Sequence, residues 1–186
     1  MFQANDLPST TSGSNLQDQA WKSPAQWRAA NAVLSFLILR KLDGLGRVRQ
    51  IVEDVKSELS GIFPILDNLC EMTCPACPAP CCKVADAGFD FRDLIYLHLT
   101  GAAVPIGQPR GEGYSTCRYL GPSGCRLPRN LRPWICTWYL CPRQKKDIFN
   151  GDSGGFGQLT AILEKVKQQR KQIEAEFIAV LIDEGQ

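Results

Sequence analysis

Apolar residues recur at helical spacing in three stretches of this chain. After Ser23-Pro24-Ala25-Gln26, the side chains Trp27, Ala30, Leu34 and Ile38 share one face. Ser23 is placed to cap this helix. Pro24 takes the first helical position, where its missing N–H costs nothing, and Gln26 can reach back to the cap. Asp43-Gly44-Leu45-Gly46 stops or bends the helix. Leu45, Val48, Val52, Val55, Leu59 and Ile62 then predict a second amphipathic helix, closed by Ser60-Gly61 and Pro64, so that the helical pair covers 23–64. A third stripe, Leu159, Leu163, Val166, Ile173, Phe177 and Val180, predicts a carboxy-terminal helix over 157–183, interrupted where Arg170 occupies an apolar position. Such a stripe serves either the chain's own core or a partner helix. An antiparallel bundle of three is the economical arrangement, and a protein partner docked on the last helix is the alternative.

The middle is different in kind. Between Cys70 and Cys141 lie all nine cysteines and most of the prolines. One helix stands out, from Phe91 to about Thr100, with Asp90 as its cap and Asp93 in its first turn. No alternating strand pattern exceeds a few residues. A loop-rich stretch of this length needs something besides an apolar core to hold it. Asn150 to Gly155 reads as a flexible glycine-rich connection, and residues 1–22 as a disordered polar tail.

Composition narrows the classes. The 186 residues suit one ordinary domain, and 44% hydrophobic with 22% charged residues predict a folded chain. A net charge of +2 is too balanced for a surface devoted to nucleic acid. The longest apolar run, Val33 to Leu39, falls far short of the ~20 residues that span a bilayer, so no membrane role is expected. The amino terminus carries no basic and apolar leader, which predicts a cytoplasmic protein. In a reducing compartment, closely spaced cysteines bind metal more often than they form disulfides.

The cysteines fall into two groups, Cys70-x3-Cys74-x2-Cys77-x3-Cys81-Cys82 and Cys117-x7-Cys125-x10-Cys136-x4-Cys141. Short proline-bearing loops such as Cys74-Pro75-Ala76-Cys77 bring two thiolates to one ion at low entropic cost. Soft thiolates favour zinc or iron, including an iron–sulfur cluster, over magnesium or calcium. A Cys-x2-Cys redox pair lacks its strand–motif–helix setting here, and an odd number of cysteines excludes complete internal pairing.

With its opening Cys74…Cys77…Cys81-Cys82, then Asp90 and the helix after it, Cys117-Arg118-Tyr119-Leu120, Gly124-Cys125 and Arg132-Pro133-Trp134-Ile135-Cys136, the chain resembles the YkgJ-like cysteine-cluster family over residues 70–145. The resemblance implies a zinc- or iron-chelating domain whose eight ligands are Cys74, Cys77, Cys81, Cys82, Cys117, Cys125, Cys136 and Cys141. Cys70 is then a ninth. Eight thiolates suit two tetrahedral zinc ions; a four-iron, four-sulfide cluster uses four and leaves four. Adjacent Cys81 and Cys82 close poorly on one ion, which favours two sites. The family resemblance also brings in iron–sulfur oxidoreductases and a longer protein methylase that carry this type of motif.

From Cys117 to Lys146 there are seven basic residues, Arg118, Arg126, Arg129, Arg132, Arg143, Lys145 and Lys146, and no acidic one. Tyr119, Trp134, Trp138 and Tyr139 lie among them. Basic residues with interleaved aromatics suit single-stranded nucleic acid, but near-neutral charge favours arginines that hydrogen-bond an anionic thiolate site. His98 reads as a surface or core histidine, with ligation as the alternative. Asp90 and Asp93 read as caps rather than, with Asp86, general bases. The expected fold is mainly α, a small helical bundle framing a loop-rich, cysteine-ligated metal region at 70–146. The expected function is a cytoplasmic cysteine-cluster metal-binding protein. Its rivals are an iron–sulfur oxidoreductase or methylase-like enzyme, and an interaction module shaped by structural zinc.

Overall fold

Ser23 and Gln26 form the reciprocal cap that their spacing predicts: the Gln26 N–H donates to Ser23 Oγ and the Ser23 N–H to Gln26 Oε1, each at 3.2 Å. The structure is a computed structural model and describes residues 21–151 and 153–183. From the cap, α1 runs Pro24–Arg40 and buries Trp27, Leu34 and Ile38. A 3-10 turn, Leu42–Leu45, replaces the helix at the glycines. Gly44 is needed there, because a Cβ on it would stand 2.9 Å from Val180 Cγ1. The polar segment expected to be a tail lies outside the described residues up to position 20. Its last expected residue, Lys22, is instead pinned, accepting a hydrogen bond from the Glu112 N–H at 3.0 Å.

The second helix does not stop at Ser60-Gly61 or Pro64. As α2 it spans Gly46–Thr73 with Pro64 inside it. Proline in a helix interior costs about 3 kcal/mol through a missing hydrogen bond and a ring clash. Pro64 lies on the exposed face, while Ile62, Leu66 and Leu69 continue the buried stripe. Each of these three contributes roughly 1.5–3 kcal/mol on burial, so the stripe outweighs the proline. Replacing Pro64 with alanine is expected to restore the bond and raise stability by about 1–2 kcal/mol, readable as a higher urea midpoint. An unchanged or lower midpoint would mean that the bend itself is needed.

The carboxy-terminal helix is α7, Ser153–Ile182, and it starts earlier than expected. The helix before it, α6, covers Pro142–Gly151. The flexible connection expected at 150–155 is therefore helical on both sides of position 152, which lies outside the described residues. Glycines cost least at helix ends, where few intrahelical bonds depend on them, and the two helices meet at their ends. Lys165 of α7 pairs with Glu58 of α2, and Val180 lies against Gly44, so the two long helices run antiparallel. Leu159, Leu163, Val166, Ile173 and Phe177 are buried in the chain's own core with Val48, Val52, Val55, Leu59 and Leu66.

Between them lies α4, Phe91–Leu99, capped as its sequence predicts: Asp93 N–H donates to Asp90 Oδ1 at 2.8 Å and Asp90 N–H to Asp93 Oδ2 at 3.0 Å. Leu94, Ile95, Leu97 and Leu99 fill the space between α1 and α7. The remaining elements are short: α3 (Cys81–Val84), a two-residue hairpin of β1 (Leu120–Gly121) and β2 (Gly124–Cys125), a 3-10 turn at Arg129–Leu131, and α5 (Trp134–Trp138). The architecture is mainly α.

Buried polar side chains staple the loops to this frame. The Gln108 amide donates to Phe89 C=O at 2.9 Å and accepts from Phe89 N–H at 2.7 Å. The Tyr119 hydroxyl donates to Gly107 C=O at 2.7 Å and accepts from Gly107 N–H at 3.2 Å. Trp27 Nε1 donates to Pro105 C=O at 2.9 Å. Each satisfies backbone groups that have no ladder to join. No described helix is long and apolar enough to cross a membrane.

Candidate metal centre

Because α2 continues past Pro64, Cys70 sits in its last turn and Cys74 is its C-cap residue, with Cys74 N–H donating to Cys70 C=O at 2.8 Å. The two thiols lie one helical turn apart in sequence and act on one another's titration. The hydrogen bond from Cys74, helped by Arg129 and Arg132, brings Cys70 down to about 5 against the opposing effect of burial. The same hydrogen bond, with burial, pushes Cys74 well above the ordinary thiol range.

Two buried donors converge on Cys70. Arg129 Nη2 lies 3.2 Å from its Sγ and Gln144 Nε2 3.6 Å. Arg129 and Gln144 are only 7% and 6% exposed, so both are fixed by their surroundings. Arg129 also donates to Asp67 Oδ1 at 2.8 Å, to Leu66 C=O at 2.9 Å and weakly to Cys136 C=O at 3.5 Å. Gln144 donates to Thr73 Oγ1 at 3.2 Å and accepts from Cys141 N–H at 3.1 Å. One guanidinium and one amide thus join the end of α2 to Cys136 and Cys141. Of the seven basic residues between Cys117 and Lys146, Arg129 is the one that hydrogen-bonds a sulfur among the described residues.

The two cysteine groups meet at further points. Cys117 N–H donates to Cys82 C=O at 2.9 Å. In the hairpin, Leu120 pairs with Cys125 and Gly121 with Gly124. Gly124 has φ +119°, which glycine alone adopts easily, and the place of its Cβ is 3.7 Å from Cys74 Cβ. Cys81 is lowered to about 6, chiefly by a hydrogen bond from Cys82, and Cys82 is raised well above the ordinary range by the same contact. Cys82 also feels Cys117 and Cys125. Cys136 is pushed up to about 12 by burial first and by Cys125 and Cys117 next. Burial raises Cys117 as well.

All nine thiols are free, Cys81 exposed and the other eight half-buried. Sulfur is the donor that a soft metal prefers, and the N–H groups within reach of a sulfur, Arg129 Nη2 and Gln144 Nε2, both lie on Cys70. The thiols are placed pairwise, Cys70 with Cys74 and Cys81 with Cys82. Among the described residues no three Cys, His, Asp or Glu side chains form a metal-holding group.

The other candidates lie elsewhere. His98 has both ring nitrogens engaged by α1, with Ser35 Oγ at 3.2 Å and Asn31 Oδ1 at 2.8 Å, and burial lowers its pKa. Asp90 and Asp93 cap α4 and pair with Arg170, and Asp86 faces Lys22 at 3.9 Å. Of the aromatics, Tyr119 is buried and Trp134 lies under Arg170, its ring centroid 5.3 Å from the guanidinium carbon. Trp138 and Tyr139 are exposed, edge to face at 6.2 Å. Asp67, Thr73 and Gln144 carry no signal in the sequence, since nothing local marks a residue whose partner is dozens of positions away.

Comparison of the chain with protein-family models, with curated proteins and with solved structures gives no match.

Proposed function

We propose that this chain is a cysteine-cluster protein that binds zinc or iron, with Cys74, Cys77, Cys81, Cys82, Cys117, Cys125, Cys136 and Cys141 as ligands. The observation that carries the reading is the meeting of two cysteine groups, remote in sequence, at the end of α2, where Arg129 bonds both Cys70 Sγ and Cys136 C=O. The resemblance of residues 70–145 to the YkgJ-like family agrees with it. Cys82 C=O accepts from Cys117 N–H at 2.9 Å, which ties the first cysteine group to the second. A bound ion would draw the paired thiolates together and neutralise charge that Arg129 and Arg132 only partly offset. Cys70, outside the eight, serves as the sulfur through which Arg129 and Gln144 fix the end of α2.

The test is the metal and acid-labile sulfide content of protein purified without oxygen, with its visible spectrum. About two zinc per chain, with neither sulfide nor colour, is the result expected of a structural double site. About four iron and four sulfide, in a brown protein bleached by dithionite, would move the reading to an iron–sulfur redox protein. Neither metal above trace would overturn both. With metal present, chelation is expected to lower the melting temperature and reduce the far-ultraviolet signal; no change in either would remove the structural role.

A further inference from the structure

Helix α1 is apolar on both sides. Trp27, Leu34 and Ile38 face the core, while Ala29, Ala32, Val33, Phe36 and Leu39 lie on the opposite face and meet water. A helix that is apolar all round is normally covered on every side. Val33, Phe36 and Leu39 are 58%, 56% and 66% exposed, and Leu42, in the turn that follows, is 47% exposed. Ile182, exposed as well, comes to the same end of the helix, where Lys41 Nζ donates to Asp183 C=O at 3.4 Å. Single apolar residues on a surface are ordinary, but a row of them along one element marks an interaction face.

The charge around this row has one sign. From Pro24 to Arg49 the basic residues are Arg28, Arg40, Lys41, Arg47 and Arg49, against Asp43 alone. Asp183 brings a second carboxylate to that end, which leaves three net positive charges. None of the five basic side chains forms an ion pair among the described residues. By helical position Arg28 and Arg40 flank the row on either side, and both are exposed. The Arg40 guanidinium carbon lies 5.6 Å from the centroid of the Phe36 ring, a cation held beside the apolar surface.

Charge and shape together select what covers the row. A second copy of the chain would bring two basic rims against each other. A partner helix lays its apolar face into a groove, and side chains more than half exposed stand out as a ridge instead. An anionic bilayer suits both features, with lipid phosphates on the arginines and the apolar ridge in the boundary between headgroups and acyl chains. No described helix spans a membrane, but lying flat on one requires a single apolar face.

We propose that α1 docks this protein on an anionic membrane surface, with Val33, Phe36, Leu39 and Leu42 inserted at the interface and Arg28 and Arg40 on lipid phosphates. The attachment does not depend on metal at the thiols.

Flotation of the full chain with vesicles tests it, using equal parts phosphatidylcholine and phosphatidylserine, or phosphatidylcholine alone. The protein is expected to float with the mixed vesicles, to remain below with the neutral ones, and to be released as salt rises. Phe36→Glu and Leu39→Glu are each expected to lower partitioning at least about tenfold, and Arg28→Gln and Arg40→Gln about fivefold each. All four positions are exposed, so the far-ultraviolet spectrum should be unchanged. Val84→Glu, at an exposed apolar position on α3, is expected to bind like the parent chain. Failure to float with the mixed vesicles would overturn the proposal, as would undiminished binding by Phe36→Glu and Leu39→Glu, or an equal loss in Val84→Glu. A dimer in size exclusion that Phe36→Glu converts to monomer would overturn it too, and would place a second copy on the row.

Discussion

Replacing Arg170 with methionine is expected to cost about 3–5 kcal/mol of stability, measured by urea denaturation at neutral pH, because it strands a buried carboxylate. Arg170 is the one charged residue in the apolar stripe of α7, and its side chain is only 5% exposed. Its Nη2 lies 2.8 Å from Asp90 Oδ1 and its Nη1 2.9 Å from Asp93 Oδ1, and the guanidinium covers Trp134. Asp93 Oδ1 also accepts from Trp134 N–H at 3.0 Å. One ion-paired cluster therefore holds α7, the cap of α4 and the Arg132-to-Cys136 motif together. A loss under about 1 kcal/mol would show that solvent or a rearranged side chain takes over the role.

The same cluster sets a pH dependence. Burial pushes the Asp93 carboxyl from 3.8 up to about 6, against the pull of Arg170. The folded chain then holds more protons here than the unfolded chain between those two values. This contribution to stability is complete below 3.8 and is lost as pH rises through about 6. The Asp93→Asn chain is expected to lack that decline, which parallel denaturation series across the range would read directly.

Phe177→Ala is expected to be as severe, at about 3–5 kcal/mol, the cost of removing a large ring from a closed core. Phe177 is fully buried and meets Phe91 edge to face, with ring centroids 6.0 Å apart. The loss should appear in the monomer, as a lower urea midpoint that does not depend on protein concentration. A stable monomer that instead changes its size-exclusion position would place Phe177 in an intermolecular contact and revive the partner-helix reading of α7.

Helix starts were legible because capping is local: Ser23 with Gln26, and Asp90 with Asp93, need only neighbours within one turn. The run through Pro64 was not, because what carries α2 onward is burial of Leu66 and Leu69 against a core that only the folded chain supplies. Arg170 looked like a flaw in the stripe, yet its carboxylate partners lie 80 and 77 residues earlier in the chain. Cysteine spacing marked a thiol-rich region, and the fold does bring its two halves together. Which sulfurs face which could not be read from spacing, since Arg129, Gln144 and the φ of Gly124 decide it.

The antiparallel packing of α7 on α2 also sets an order of events during synthesis. The apolar face of α2 leaves the ribosome before the cysteine-rich segment, and the helix that covers it emerges only after that segment. Throughout that interval the cysteine-rich segment belongs to an unfinished domain, its thiols open to adventitious ions and to one another before Arg129 and the frame fix their places. Long-range closure of this kind slows folding and prolongs exposure of sticky surface. A nascent chain halted before residue 153 would carry every cysteine without the helix that completes their support.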